Sequence, residues 1–368
     1  MRGSAAVQNP STDPYPLSSD NCYDIAVIGA GPAGCTFARL AAQKYKIVLI
    51  DPKTADPDSF KKPCGGLLSE DAQKSLARFD LTLPKSVLVD PQIFSVRTID
   101  LESGLIRHYQ RFYINLDRHR FDLWLKSLVP DSVDKVTAKA KKITRTENGF
   151  LIDCGEIQLT ARYIVGADGA NSTVRKTFFP NKKLRSYTAI QQWFPENNPN
   201  PFYSCIFDQK TSDCCSWSIS KDNHFIFGGA FPHHNCRTRF EEQKQKLEQR
   251  QGFCFGEPIK TEACIVLRPK NISDFVCGNN GVMLIGEAAG FISPSSLEGF
   301  SYAFDSAILL AGCFDRSNNQ VEKRYRRATR KLRLKLFSKV LKCPFMYMPF
   351  LRRLVMKSNL KTIDCIEN

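Results

Sequence analysis

Lys61 to Leu68 read KKPCGGLL, a thiol followed by two glycines in a stretch with neither helical nor strand period. Cysteine is a proton donor or nucleophile. Gly65 and Gly66 have no Cβ, so the chain there can turn freely or pass close over a flat group. Further on, SWSISKDNH brings Trp217, Lys221 and His224 within eight residues. An indole face stabilises developing positive charge by about 0.5–2 kcal/mol, and an imidazole moves a proton near neutral pH. By residue type, Cys64, Trp217 and His224 are candidates for catalytic roles: an acid or steric guide, an electron-rich wall and a proton donor. Structural readings stand beside each one. Cys64 could be a small buried residue, Trp217 an ordinary core aromatic, and His224 a turn histidine bonded to backbone. Lys221, next to Asp222 and Asn223, reads as a solvated turn. Metal chemistry is not expected. His233 and His234 are adjacent and point to opposite faces of a strand, and the fourteen cysteines include no C-x-x-C pair.

Such groups need a scaffold, and YDIAVIGAGPAGCTFARLAAQKYKIVLID describes one. Ile25 to Ile28 reads as a buried strand, and Gly29, Gly31 and Gly34 form G-x-G-x-x-G at the start of an Ala-rich helix. A second strand, Lys46 to Ile50, ends at Asp51. Gly29 makes the tight turn, Gly31 lets backbone approach a pyrophosphate, and Gly34 allows close helix–strand packing. With Ala33 they put the helix N-terminus at the negative charge, while the Asp51 carboxylate accepts hydrogen bonds from ribose hydroxyls. Two later stretches follow the same logic. ARYIVGADGANSTVR (161–175) is a strand leading to Asp168 and Gly169, and GVMLIGEAAGFISPSSLEG (281–299) is a strand leading to Gly286, Glu287 and Gly299.

Together the three stretches resemble the G-x-G-x-x-G, D-G and G-D motifs of flavoproteins with the p-hydroxybenzoate hydroxylase type of fold. The resemblance implies FAD, with Asp168, Gly286, Glu287 and Gly299 at the cofactor. Glu287 stands where that family usually has Asp, one methylene shorter. Within the family, the geranylgeranyl reductase branch carries a similar Cys-Gly-Gly loop, which implies that Cys64, Gly65 and Gly66 lie beside the isoalloxazine ring. DRHRFDLWL (117–125) is similar to the family's arginine–phenylalanine stretch and implies that Arg118 contacts FAD. The branch's Y-x-W-x-F-P-K-x-x-H motif aligns with Cys215, Trp217, Ile219, Ser220, Lys221 and His224. Trp, Lys and His match; Tyr, Phe and Pro do not. The resemblance implies those catalytic roles for Cys64, Trp217 and His224. The resemblance runs from Tyr23 to about Leu336.

The expected fold class is α/β with an α+β substrate part: a Rossmann-type FAD-binding domain, an inserted antiparallel β-sheet substrate domain and a C-terminal helical tail. The reading assigns 1–22 to a flexible tail without the apolar region of a secretory signal. Residues 23–85, 118–185 and 272–318 form the FAD domain, 86–117 and 186–271 the substrate domain, and 319–368 the basic helical region. The short β-rich runs PFYSCIFD, CCSWSISKD and HFIFGGAFP supply the substrate sheet.

The net charge of +15 is concentrated. Residues 323–361 hold 14 Lys or Arg and no acid, which leaves the first 322 residues at about +3. Tyr325, Ala328, Leu332, Leu336 and Val340 recur on one helical stripe, with arginines and lysines around them. No apolar run is long enough to span a membrane, and no nucleic-acid module accompanies the charge. The tail is therefore expected either to pack on the body or to bind an anionic membrane surface peripherally, on the inner face of the membrane of a cytoplasmic protein.

The expected activity is reduction of a carbon–carbon double bond in an isoprenoid or polyprenyl lipid, by a proton plus hydride from reduced flavin. The alternatives are a flavin-dependent monooxygenase, a halogenase, and a non-catalytic membrane-associated flavoprotein. Cys215 and Ser220 replace the Trp and Pro of the halogenase motif W-x-W-x-I-P. No second dinucleotide fingerprint is present, so NADPH at the open face or a redox partner protein would reduce the flavin.

Overall fold

The computed structural model describes residues 22–56, 61–196, 203–316 and 320–364. The N-terminal tail expected over 1–22 therefore lies almost wholly outside the described residues. Two eight-stranded sheets organise the chain. In the first, Val282–Leu284, Gln158–Gly166, Cys22–Ile28, Ile47–Ile50 and Asp134–Val136 are parallel neighbours in that order. The Ile25–Ile28 and Ile47–Ile50 runs are fully or almost fully buried, as parallel strands covered on both faces must be. Pro32–Ala41 and Phe300–Arg316 pack on each other over this sheet. Pro32 opens the first helix, where its missing N–H costs nothing.

The second sheet runs Lys260–Leu267, Ser186–Pro195, His224–Phe231, Ser212–Lys221, Tyr203–Asp208, Ile93–Asp100, Ile106–Asn115 and Leu67–Leu68. All pairs are antiparallel except Tyr203–Asp208 with Ile93–Asp100. Leu67–Leu68, within the segment 23–85 that the sequence reading assigns to the FAD domain, pairs with Asn115 and Ile114 of the second sheet. The cysteine–glycine loop thus leads from the first sheet's side directly onto the second. Its position between the sheets follows from that connection.

The tail forms Val321–Ala328, Arg330–Tyr347 and Pro349–Lys357. Pro344 lies inside the second of these helices and does not end it. Tyr325, Leu332 and Leu336 of the expected stripe are buried on the body. Among the described residues no helix is long and apolar enough to cross a membrane, and no group of His, Cys, Asp or Glu could hold a metal ion.

Candidate active site

A cavity of about 850 Å³ lies between the two sheets. Gly29, Gly31, Ala33, Asp51, Cys64, Gly65, Gly66, Arg118, Asp168, Trp217, Gly286, Glu287 and Gly299 all line it. Gly34 and His224 do not.

The glycine loop divides its labour at the backbone. Gly29 adopts φ +104°, and a Cβ there would strike Ala167 O at 2.6 Å. A Cβ on Gly34 would come within 1.8 Å of Gly29 O, so Gly34 is needed for packing behind the cavity. A Cβ on Gly31 would meet nothing within 4 Å, because it would project into the cavity itself. That empty approach, at the N-terminus of Pro32–Ala41, fits a pyrophosphate. Asp51 accepts from Ala30 N at 2.7 Å and Lys53 N at 2.7 Å, which fixes its carboxylate at the strand end.

Two expected ligands turn out to organise the walls with their carboxylates. Asp168 accepts from Ser172 Oγ, Thr173 N at 2.7 Å and Val174 N at 3.2 Å, capping the Thr173–Phe178 helix. Its burial pushes its pKa up, against these hydrogen bonds. Glu287 accepts from Leu267 N at 3.0 Å and pairs with Lys62 Nζ at 2.6 Å. The longer side chain of Glu287 thus reaches across to the second sheet and to the loop ahead of Cys64. Burial pulls Lys62 down, but Glu287 outweighs it and the net shift is upward.

Cys64 sits between cations. Its sulfur accepts from Gly66 N at 3.4 Å, and both Arg118 and Lys221 interact with it electrostatically. Arg118 is held by Asp122 at 2.9 Å and lies over the Phe300 ring at 4.7 Å. Lys53 takes the other Asp122 oxygen at 2.7 Å. Burial raises the Asp122 pKa and the two cations more than reverse it, leaving it low.

Trp217 meets the loop. A Cβ on Gly65 would lie 3.6 Å from its indole, while one on Gly228, its cross-strand partner, would lie 2.7 Å from it. The glycine at 228 lets the ring lie against the neighbouring strand, and Nε1 donates to Gln191 Oε1 at 3.4 Å. Val266, Ile292, Tyr113 and Tyr203 continue the wall, the two tyrosines edge to face at 5.7 Å.

His224 and Lys221 exchange their expected places. His224 shares a sheet face with Trp217, but its ring is edge-on to Trp193 at 5.8 Å, outside the cavity. It is not brought to the site. Lys221 is 4% exposed and donates to Asn115 Oδ1 at 2.6 Å and Leu116 O at 2.8 Å, directly behind Gly66. Burial lowers its pKa to about 8. The period-2 spacing of Trp217 and Lys221 put both on one strand face, a signal legible in the sequence. Glu298, also missed, lines the cavity and accepts from Ser301 N at 2.9 Å and Ser301 Oγ at 2.8 Å. Burial raises its pKa. His233, rejected as a metal ligand, bonds Ser186 and Thr188 side chains at 2.9 Å.

Comparison with known proteins agrees with this layout. The family described as "Lycopene cyclase protein" matches residues 24–244. Protein CbrA of Escherichia coli O6:H1 is 51% identical over 352 residues, covering 94% of this chain and 96% of that protein. A geranylgeranyl bacteriochlorophyll reductase-like protein from Thermoplasma acidophilum superposes with TM-score 0.76 at 20% identity, covering 91% of each chain. PqsL from Pseudomonas aeruginosa, described as a probable FAD-dependent monooxygenase, superposes with TM-score 0.66 at 15% identity over 93% of this chain and all of that one. These superpositions show that the chain has the fold of such proteins, with a cavity at the expected glycine loop. The chain belongs to the CbrA proteins and shares its fold with that geranylgeranyl bacteriochlorophyll reductase-like protein.

Proposed function

We propose that the protein reduces a carbon–carbon double bond of an isoprenoid or polyprenyl lipid. The observation that carries this reading is the placement of Trp217 against the Cys64-Gly65-Gly66 loop, in a cavity whose far wall is apolar and aromatic. The matching family and one of the superposed proteins have names that refer to polyprenyl compounds, lycopene and the geranylgeranyl group. The Gly29–Gly34 loop, Asp51, Arg118 and the backbone at Gly286 and Gly299 would hold FAD, which would supply a hydride when reduced by NADPH or a redox partner.

The chain's residues supply the rest. An isolated alkene is a poor hydride acceptor, so the easier course adds a proton to one carbon and leaves cationic character on the other. Cys64 Sγ gives that proton, with Arg118 and Lys221 as the cations that interact with it. Trp217 offers its π face to the electron-poor carbon. Proton and hydride together add two hydrogens across the double bond.

Anaerobic mixing of the photoreduced protein with a polyprenyl alkene tests the reading. Reoxidation of the flavin with a product heavier by two hydrogens is the expected result. The likeness to a monooxygenase favours a second reading, in which product forms only with oxygen and gains an oxygen atom. Product halogenation, or no flavin reoxidation by any substrate, would point to the halogenase or non-catalytic alternatives.

A further inference from the structure

The tail is fixed to the body by one face. Tyr347 Oη donates to Ser295 O at 2.7 Å, and Arg352 forms a buried pair with Asp100 at 2.7 Å as well as pairing with Glu102. Arg107 Nε donates to Met356 O at 3.0 Å, and Ile363 N to His108 O at 2.9 Å. The outward side of these helices, of Met348 between them and of the turn that follows is largely apolar and uncovered. Leu341, Phe345, Met348, Phe350, Leu354 and Leu360 are all more than half exposed, Phe350 at 71%. Lys342, Arg353, Lys357 and Lys361 are exposed among them, and no acid occurs from 323 to 361.

A patch this apolar on a folded chain marks a surface that meets something. Its cations decide what. Protein interfaces deplete lysine at their cores, whereas a bilayer interface takes apolar side chains below the headgroups and cations at them. The cavity reaches these helices: Lys339, one turn before Lys342, lines it together with Arg111 and the half-exposed Phe112.

We infer that Arg330–Tyr347 and Pro349–Lys357 form a docking face for an anionic lipid bilayer, which sets the cavity mouth against the membrane. The helices lie in the interface, held rigid by Arg352 and Tyr347, and an apolar substrate passes from bilayer to Trp217 without crossing water. The inference rests on the polyprenyl reading for its purpose but not for its test.

The FAD-loaded full chain is sedimented with vesicles of phosphatidylcholine alone and of phosphatidylcholine with phosphatidylglycerol. Binding to the anionic vesicles, reversed by salt, is expected. R353Q, K357Q and K361Q together should weaken it about a hundredfold. F350S with L354S should abolish it while leaving flavin content and Tm unchanged. Equal binding to both vesicles, no binding to either, unaltered binding by these variants, or a dimer in solution that F350S dissolves would each overturn the docking face. Vesicle binding without alkene reduction would sink the proposed activity and leave the face standing. Reduction of a detergent-dispersed alkene by protein that ignores vesicles would do the reverse.

Discussion

Lys62 Nζ lies 2.6 Å from Glu287 Oε2, tying the loop that carries Cys64 to the turn that opens the third flavin motif. One charge pair thus couples the Cys64 loop to the half of the chain that carries the glycine motifs. Glu287 is largely buried and Lys62 partly so, a setting in which a charge-assisted hydrogen bond contributes about 1.5–3 kcal/mol. A double-mutant cycle with Lys62→Met and Glu287→Gln, read by denaturant unfolding, should return a coupling in that range. A coupling near zero would mean that the loop is positioned by Leu67–Leu68 and Lys221 alone.

The glycine loop separates cavity lining from packing. Gly31 has extended backbone, φ −82° and ψ −172°, which valine adopts readily. Its Cβ would enter the cavity, so Gly31→Val should keep the fold and lose FAD, seen as colourless protein with an unchanged circular dichroism spectrum. Gly34→Ala presses on Gly29 O and should cost about 3 kcal/mol or more of stability. Yellow, fully loaded Gly31→Val would show that the phosphates lie elsewhere.

Trp217 depends on Gly228 more than on Gly65. A methyl at 228 would stand 2.7 Å from the indole and must displace it, whereas one at 65 makes ordinary contact at 3.6 Å. Gly228→Ala should therefore retain FAD, shift the bound flavin's visible spectrum and lower turnover at least tenfold, a barrier change of about 1.4 kcal/mol. Gly65→Ala should change both little. The opposite ranking would make the loop, not the indole, the wall that the substrate feels.

What the sequence made legible was set by backbone. Gly29, Gly31 and Gly34 announce their roles because no other residue satisfies the turn, the approach and the close packing at that spacing. The carboxylates were less legible. Asp168 and Glu287 occupy the motif positions, yet their oxygens are taken by Thr173 N and by Lys62, partners that only the tertiary fold supplies. Lys221 was hidden for a similar reason. The hairpin turn beside it is drawn in by Asp222 N donating to Asp90 O at 2.7 Å, and Asn115 arrives from a strand about a hundred residues away to receive its ammonium. A Lys-Asp-Asn sequence looks solvated until that strand is in place. His224 erred the other way: it has the right chemistry and the right face, but stands beyond the cavity's end.

Lys221 also gives the protein an unusual pH response. Burial draws it from 10.5 to about 8, while Cys64, Asp117 and Asp222 oppose the shift. Below pH 8 the ammonium is charged in folded and unfolded chains alike, and its desolvation cost is present in full. Between about 8 and 10.5 the folded chain releases the proton while the unfolded chain keeps it. The unfolded state then binds more protons, so this residue's contribution to stability rises with pH. Lys221→Met removes the titration. The stability of the wild type relative to this variant, measured in denaturant, should increase by about 2 kcal/mol from pH 7.5 to pH 9.5. Groups that titrate equally in both proteins cancel from that difference. A constant difference would mean that Asn115, Leu116 and Cys64 hold the ammonium charged throughout, and the proton donor proposed at Cys64 would then keep that cation well above pH 8.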